Sequence, residues 1–598
     1  MGILNFWTRI KQYGARRVIP QPGAESSQIT PAIIDGPALA HNVFETLRYK
    51  ANRSVVTQCN YAEVGHEVVE WLDKLALHGY DIQGIFFDGA LPDHKKQTRN
   101  DRMQASIDKL VTSRNAQDLI NKSTQGSDSD QLNANLIADG DSPAWTPPPF
   151  LVPAVVEALS ASPYANRTWI VKGEADEYCA AAATKAWQDG SPVGATIFTN
   201  DSDLIIFDFD SAYVRISMIK ELKLWDTQEL KVAEVLEFEP TVLAKGFKSL
   251  LPMAYLMQDR TVSFNHAFSL VSTNRAELAD YQEFEARYLA KRTVPYLRDL
   301  MYCRRTGEYF PQLDARIMEP ILQAQDCIAP SPSQAEGTTQ SHKTKSPAGA
   351  ISGQEKVQLH LYLPTLFEDP AKGSAWRVGE FSRRTAEVLI LNSVSMPAAT
   401  LLEYRRSGSI VHPAEIQKIS KSKVDKQLAD CLSILRAYIQ DESRLQGVSR
   451  WRVSLMKLGL RDLAGQGKIL PSFDSVVAVL SRDALSTWGL VHLSAAFQAQ
   501  FYSLRMLKQV LQHEKQLGNK WEDGGLLDDL PGIAEFFGGG EEVDRRGWEG
   551  LVEEFLTREK SEEAAAPVAV ARKKHSRGGE RTAQTKSNPF AALEELEE

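Results

Sequence analysis

The chain has 598 residues, of which 43% are hydrophobic, and a formal net charge of −9. This composition is typical of a globular protein with more than one domain. The acidic balance argues against an evenly basic nucleic-acid coat, although it leaves room for a local basic patch. The five cysteines include no CxxC pair, so neither a disulfide framework nor a zinc site is expected.

Short apolar runs alternate with helical patterns over the first 260 residues. The runs predict strands at 32–34, 82–87, 169–171, 195–198 and 213–219, and the helical patterns lie at 61–78, 152–159, 178–187 and 242–256. This rhythm is typical of an α/β domain with a central, mostly parallel sheet flanked by helices. Beyond it the pattern becomes mainly helical.

Composition divides the chain into five parts. They are an α/β domain (1–275) with a predicted disordered insertion (121–149), a helical extension (276–329), a low-complexity linker (330–356), a mainly helical C-terminal module (357–559) and a disordered charged tail (560–598).

The sequence also constrains the location of the protein. No apolar stretch is long enough to span a bilayer, and the first residues lack the apolar core of a signal peptide. A basic run at 572–577 is a candidate nuclear-localisation signal, but such runs are often only solvated. We expect a protein of the nucleus, the cytoplasm or both, neither secreted nor in a membrane.

Acidic residues stand at or just after the predicted strand ends. They are Asp35, Asp88, Glu174, Asp176, Asp201 and Asp203. A single such aspartate is readily explained as a helix N-cap, but capping does not explain two pairs of acids spaced two residues apart. The carboxyl ends of parallel strands lie along one edge of a sheet. Carboxylates gathered there repel one another unless a cation lies among them, and a hard divalent metal prefers oxygen ligands.

The acidic motifs resemble those of the flap endonuclease/XPG group of 5′ nucleases, which have a PIN-like domain, and within it those of asteroid-type proteins. The motifs are MGI, IIDGPALAHNVF, GIFFDG, GEADEYCAA, IFTNDSDLIIFD and LLPMAYLMQD, in the order in which the family carries them. The resemblance covers roughly residues 1–260. It implies metal-site roles for Asp35, Asp88, Glu174, Asp176, Asp201, Asp203 and Asp259.

The resemblance also extends to basic residues. Lys95 and Arg102 have the spacing of the family's basic pair, which implies catalytic roles at the scissile phosphate. Arg48 matches an arginine near the DNA, although a solvated surface charge explains it equally well. His41 stands where the family places a base-stacking ring, and a structural histidine is the alternative. The chain departs from the family after Asp259, where the glycine-rich helix–hairpin–helix is missing.

The resemblance implies a structure-specific nuclease that hydrolyses phosphodiester bonds of DNA, or of RNA, in DNA repair or processing. Two Mg²⁺ ions, replaceable by Mn²⁺, would lie about 3.5–4 Å apart. The expected partners are branched or single-stranded DNA, RNA as a second nucleic acid, and a protein bound by the C-terminal module. The alternative is a catalytically silent nuclease-fold scaffold that binds RNA or protein partners in regulation, since a fold does not determine a function.

Overall fold

A computed structural model describes most of the chain. The described residues are 6–19, 29–51, 59–92, 95–123, 147–171, 173–209, 212–223, 234–246, 250–259, 261–273, 281–288, 314–326, 357–394, 399–482, 485–516, 518–519, 521, 524–538 and 549–559. The predicted linker and tail lie outside these residues. So does most of the predicted insertion, although its residues 121–123 are helical.

The strands and helices are numbered in chain order. The strands are β1 (Ala15–Val18), β2 (Thr30–Asp35), β3 (Tyr80–Phe87), β4 (Thr168–Ile170), β5 (Ala195–Thr199), β6 (Val214–Met218), β7 (Glu234–Phe238), β8 (Gln358–Tyr362), β9 (Thr400–Ser407) and β10 (Ile410–Gln417). The helices are α1 (Phe6–Ile10), α2 (Gly36–Ala51), α3 (Tyr61–Leu77), α4 (Lys96–Ser123), α5 (Leu151–Ser160), α6 (Ala175–Gln188), α7 (Pro240–Gly246), α8 (Leu250–Leu256), α9 (Phe264–Ser272), α10 (Tyr281–Tyr288), α11 (Ala315–Asp326), α12 (Glu380–Ser393), α13 (Lys421–Asp441), α14 (Gly447–Gly465), α15 (Phe473–Leu480), α16 (Trp488–Gln516) and α17 (Ile533–Phe537).

The chain forms two compact units, each assembled from separate pieces. The first unit comprises Met1–Asn52, Asn60–Lys95 and Phe150–Ala315, and the second comprises Arg53–Cys59, Lys96–Pro149 and Arg316–Glu598.

The first unit is built on a seven-stranded sheet. Its strand order is β1-β7-β6-β5-β2-β3-β4. The neighbours from β6 to β4 all run parallel, whereas β7 runs antiparallel to both β6 and β1. The predicted α/β fold with a mostly parallel sheet is therefore confirmed.

Helices cover both faces of this sheet. Consecutive residues of a strand point to opposite faces, so a single strand can contact the helices on both sides. Ile197 of β5 belongs to one buried cluster with Cys179 and Ala183 of α6. The next residue, Phe198, makes an edge contact with Trp71 of α3, with ring centroids 6.1 Å apart. The small side chains of α6 let that helix lie close against β2 and β5, and this places its first turn beside the strand ends.

A glycine allows α2 to begin directly after β2. A Cβ atom at Gly36 would lie 2.5 Å from Cζ of Phe87, so any larger residue would displace that ring or the helix. Asp35 is the last residue of β2. It therefore lies directly between this buried strand and the glycine that packs against Phe87.

The second unit combines helices with a three-stranded sheet of order β10-β9-β8. A two-residue turn joins β9 to β10, and its Gly408 has a φ of +60°. The long helix α16 lies in the core of this unit, with Phe501 and Leu504 fully buried. The predicted helical C-terminal module is likewise confirmed, although the sheet was not predicted. No helix among the described residues is long and apolar enough to cross a membrane.

Candidate active site

The sheet of the first unit brings several of the predicted acids to one edge. Asp35 ends β2, Asp88 follows β3 directly, and Asp201 lies two residues beyond β5. In the register, Asp35 pairs with Phe86, and Ile34 pairs with Phe198. Neighbouring strands lie about 4.8 Å apart, so the three strand ends deliver their carboxylates to a common crevice.

Hydrogen bonds fix Asp35 and Asp201, the two acids at the centre of this edge. Thr199 Oγ1 donates to Asp35 Oδ2 at 2.6 Å, and the backbone N–H of Ala38 donates to Asp35 Oδ1 at 3.1 Å. Thr199 Oγ1 in turn accepts the N–H of Asp201 at 2.9 Å. The Asp201 carboxylate caps the short 3₁₀ helix that follows, accepting the N–H of Asp203 at 3.0 Å.

Hydrogen bonds connect the end of β3, where Asp88 lies, to the start of α6. The N–H of Gly89 donates to the carbonyl of Gly173 at 2.9 Å, and the N–H of Ala175 donates to Asp88 Oδ1 at 2.8 Å. Asp88 thus satisfies one of the free amides in the first turn of α6. Glu174, the residue before that helix, and Asp176 within its first turn are thereby held at the same edge.

Four carboxylates lie within electrostatic range of one another at this edge. Burial raises the pKa of Asp35 to about 7, the charges of Asp88 and Asp201 add to this, and the bonds from Thr199 and Ala38 oppose it. The pKa of Asp176 lies well above the ordinary value, first because its carboxyl group has lost bulk water and then because Asp201, Asp35 and Asp88 are close. We call Asp35, Asp88, Asp176 and Asp201 the carboxylate cluster.

Lys95 supplies positive charge to this edge. Its ammonium forms an ion pair with Glu174. Burial alone would lower the pKa of Lys95, but Glu174, together with the more distant Asp176 and Asp201, outweighs it, so the pKa is raised. The ammonium therefore partly compensates the carboxylate cluster. Its predicted role at the scissile phosphate stays a prediction.

Two predicted metal-site acids lie less centrally. Asp203 is partly exposed, and its Oδ2 accepts a long hydrogen bond of 3.5 Å from the Tyr288 hydroxyl. Asp259 is exposed, and its Oδ1 accepts the N–H and the hydroxyl of Thr261 at 2.9 and 2.8 Å. These bonds lower the pKa of Asp259. Asp259 is not among the charges that shift the pKa of Asp35 or Asp176.

The predicted nucleic-acid contacts Arg48 and His41 lie on α2, and the second predicted catalytic residue, Arg102, lies on α4. Arg48 on α2 pairs with Glu45 at 3.1 Å, and only 9% of its side chain is exposed. His41, also on α2, is partly buried. Arg102 is exposed on α4, in the second unit. The roles of these three residues stay predictions.

The structure adds site residues that sequence reasoning missed. Thr199 is the hydroxyl that links Asp35 to Asp201. The phenol of Tyr288 on α10 has a pKa raised by burial and then by Asp203, Asp201, Asp176 and Glu174, so it faces the same crevice. Lys220 lies just after β6, within electrostatic range of Asp201. A position just past an apolar strand was a usable signal for Lys220, whereas Tyr288 comes from a distant segment without one.

The carboxylates are chemically suited to a hard divalent ion, which prefers oxygen ligands. As they lie, however, no group of three Asp, Glu, His or Cys side chains in the described part of the chain is arranged to hold a metal ion. Binding of an ion would therefore have to draw members of the carboxylate cluster together.

Comparison with known families agrees with this geometry. Residues 147–418 match the family model described as XPG domain containing. The match takes in Glu174, Asp176, Asp201, Asp203 and Asp259, whereas Asp35 and Asp88 precede it. No curated protein matches the chain. The matched region and the mostly parallel sheet together support the XPG/5′ nuclease superfamily and a nuclease fold.

Proposed function

We propose that the protein is a metal-dependent nuclease that hydrolyses phosphodiester bonds of DNA, with RNA as a second substrate, in DNA repair or processing. One observation carries the proposal. Asp35, Asp88, Asp176 and Asp201 come from three separate strand ends and a helix start, yet they lie close enough that, after burial, the charges of their neighbours raise the pKa values of Asp35 and Asp176. The order of the sequence motifs supports the narrower proposal of an asteroid-type member.

The metal would be held by the carboxylate cluster, with Glu174 beside it. When bound, two Mg²⁺ ions, or Mn²⁺ in their place, would act as Lewis acids on the scissile phosphate and activate water. The chain's own contribution is to hold the ligands. Thr199 and Ala38 orient the Asp35 carboxylate, and Ala175 orients that of Asp88. Such supporting bonds tune metal ligands.

Lys95 contributes a positive charge beside the carboxylate cluster. In the structure its ammonium pairs with Glu174. With a metal held beside Glu174, the ammonium would be available to contact a phosphate oxygen, where it would offset the negative charge that develops in the transition state.

Cleavage by the purified full chain tests the proposal. Labelled DNA with a 5′ flap, single-stranded DNA, DNA with an overhang and RNA counterparts are incubated with Mg²⁺ or Mn²⁺ at several salt concentrations. We expect cleavage by the wild type and a loss of at least about 100-fold in Asp201→Asn. Asparagine keeps an acceptor for the N–H of Asp203, so the local turn survives. Intact substrates throughout the panel would refute the proposal.

The matched control is Asp189→Asn, which makes the same chemical change at the far end of α6. Asp189 is exposed and pairs with Lys185 at 2.8 Å. We expect this variant to cleave like the wild type. Thermal unfolding of both variants shows that any loss in Asp201→Asn is not a loss of folding.

A catalytically silent scaffold is the second candidate function. The observation in its favour is that no three carboxylates among the described residues form a ready-made metal site. A scaffold binds labelled RNA in EDTA as well as in Mg²⁺, and Asp201→Asn leaves that binding unchanged. A nuclease that needs metal to compensate its acids binds more tightly with a divalent ion present.

A further inference from the structure

The parallel register of β5 and β6 places Lys220 beside Asp201. Thr199 pairs with Met218, and each of the two charged residues lies two positions beyond its member of this pair. The N–H of Lys220 donates to Asn200 Oδ1 at 2.9 Å, which ties the two strand ends together. Because neighbouring strands are about 4.8 Å apart, this lysine stands at the same sheet edge as the carboxylate cluster, on its β6 side.

The side chain of Lys220 is held by an aromatic ring. Its ammonium lies 3.9 Å from the ring centroid of Trp7, a cation–π contact that leaves the remaining N–H donors available. Trp7 is itself anchored by an edge contact with Phe238, with ring centroids 5.9 Å apart. The residue is exposed to solvent, and the contact with Trp7 fixes the direction of its side chain.

Two other lysines among the described residues of the first unit have carboxylate partners. Lys95 pairs with Glu174, and Lys11 pairs with Glu221. Within the described part of the chain, Lys220 forms no ion pair, although Asp201 and Glu221 lie within electrostatic range. A positioned ammonium beside an acidic site is suited to an anion that also reaches that site.

We propose that Lys220 binds a backbone phosphate of the nucleic-acid strand, next to the phosphate that reaches the carboxylate cluster. Trp7 holds the ammonium in place, and the strand passes over the end of β6. This inference rests on the proposed nuclease function. A lysine contact to phosphate adds affinity without base specificity, so the interaction concerns the path of the strand and not its sequence.

Fluorescence anisotropy with labelled single-stranded DNA tests the inference. The full chain is titrated in Ca²⁺ over a range of salt concentrations. We expect Lys220→Ala to raise Kd about fivefold, the scale of an exposed charge contact. The slope of log Kd against log salt should fall by about 0.7, the value for one phosphate contact on a single strand. Lys220→Arg should restore most of the affinity, and Trp7→Leu should lose part of it.

The matched control is Lys185→Ala, which removes one exposed lysine at the remote end of α6 and should leave both Kd and slope unchanged. Equal Kd and slope in Lys220→Ala and Lys185→Ala would overturn the inference, and so would a wild type that binds no nucleic acid. Binding is measured apart from cleavage. If the wild type binds but does not cleave, the proposed function fails, and a weakened Lys220→Ala still supports the phosphate contact. If the wild type cleaves and Lys220→Ala matches it, only the inference fails.

Steady-state kinetics gives a second readout. A phosphate contact away from the reacting atoms stabilises the bound substrate and the transition state equally, so its loss raises KM and leaves kcat nearly unchanged. We expect that pattern for Lys220→Ala. A fall in kcat at constant KM would contradict it.

Discussion

Thr199 donates a 2.6 Å hydrogen bond to Asp35 and accepts the backbone N–H of Asp201 at 2.9 Å. One fully buried hydroxyl therefore connects the end of β2 with the loop after β5. It orients the Asp35 carboxylate and stabilises its charged form, which is the form that binds a cation.

Replacing Thr199 by valine should weaken this part of the site. Without the donated bond, the pKa of Asp35 rises above its present value of about 7, because the charged form loses its partner. We expect Mg²⁺ affinity to fall about tenfold, as for other partners of metal ligands. Calorimetry measures the affinity, and carboxyl NMR measures the pKa.

The matched control for that change is Thr196→Val. Thr196 is on the same strand and fully buried, and its hydroxyl has no hydrogen-bond partner among the described residues. Removing such a hydroxyl is close to neutral or slightly stabilising. Equal Mg²⁺ affinity and equal Asp35 pKa in the two variants would argue against the role given to Thr199.

The stability of the metal-free protein should fall between pH 4 and pH 7. The folded-state pKa of Asp35 is about 7, against an ordinary value of 3.8. In that window the folded state binds more protons than the unfolded state, so the free energy of unfolding decreases as pH rises. We expect a lower Tm at pH 8 than at pH 5 in EDTA, by about 2–4 °C for each kcal/mol.

Asp35→Asn isolates the contribution of this one group. The variant should lose part of the fall in Tm between pH 5 and pH 8, whereas Asp189→Asn should keep all of it. Mg²⁺ should raise the wild-type Tm more at pH 8 than at pH 5, because a metal competes with protons for the same oxygens. An identical pH profile in Asp35→Asn and the wild type would count against a raised pKa at this position.

Two substitutions of Asp88 should separate its charge from its hydrogen bond. Asp88→Asn keeps an acceptor for the N–H of Ala175, whereas Asp88→Ala leaves that amide at the start of α6 without it. We expect alanine to lower the free energy of unfolding by about 1 kcal/mol, as for a lost helix cap, and asparagine to change it little. Both should abolish metal-dependent cleavage. Urea unfolding measures the free energy of unfolding of the two variants. Equal destabilisation by alanine and asparagine would contradict the role of the Asp88 hydrogen bond.

The second unit should depend strongly on a buried ion pair. Arg383 is fully buried, and its Nε donates to Glu403 Oε2 at 2.5 Å. Removing one partner of such a pair leaves an uncompensated charge, which costs about 3–5 kcal/mol. Arg383→Ala should therefore lower the free energy of unfolding by that amount, measured by urea denaturation.

The neighbouring Arg384 provides the control for Arg383. It is partly exposed and pairs with Glu380 at 3.3 Å and with Glu387 at 3.7 Å. A pair of this kind contributes less than about 1 kcal/mol, so Arg384→Ala should have a small effect. Similar losses of unfolding free energy in Arg383→Ala and Arg384→Ala would show that the buried pair does not contribute more than the partly exposed one.

Short-range patterns predicted much of the first unit. Apolar runs ending in acids identified β2, β3 and β5, and parallel-sheet geometry predicted that Asp35, Asp88 and Asp201 would meet. The pattern could not reveal Tyr288, because a distant helix brings it to the crevice. It also gave no measure of the actual spacing of the carboxylates, which depends on hydrogen bonds such as those from Thr199 to Asp35 and from Ala175 to Asp88.

The sheet of the second unit was missed for a different reason. The turn at Gly408 and Ser409 is a recognisable hairpin signal. However, β9 carries Glu403 and Arg406, which are buried. Charged residues at these positions break the apolar pattern by which a buried strand is recognised. Their burial is made possible by partners from other elements, such as Arg383 on α12, and no local pattern encodes those partners.

The position of β5 in the sheet has a consequence for synthesis of the protein. β5 pairs with β2 on one side and β6 on the other, although it is translated long after β2. Until the ribosome has released β5, the nascent β2 presents an open hydrogen-bonding edge and its terminal aspartate lacks Thr199. Exposed edges of this kind promote aggregation, so we expect the growing chain to be prone to aggregation during this interval and to benefit from chaperones.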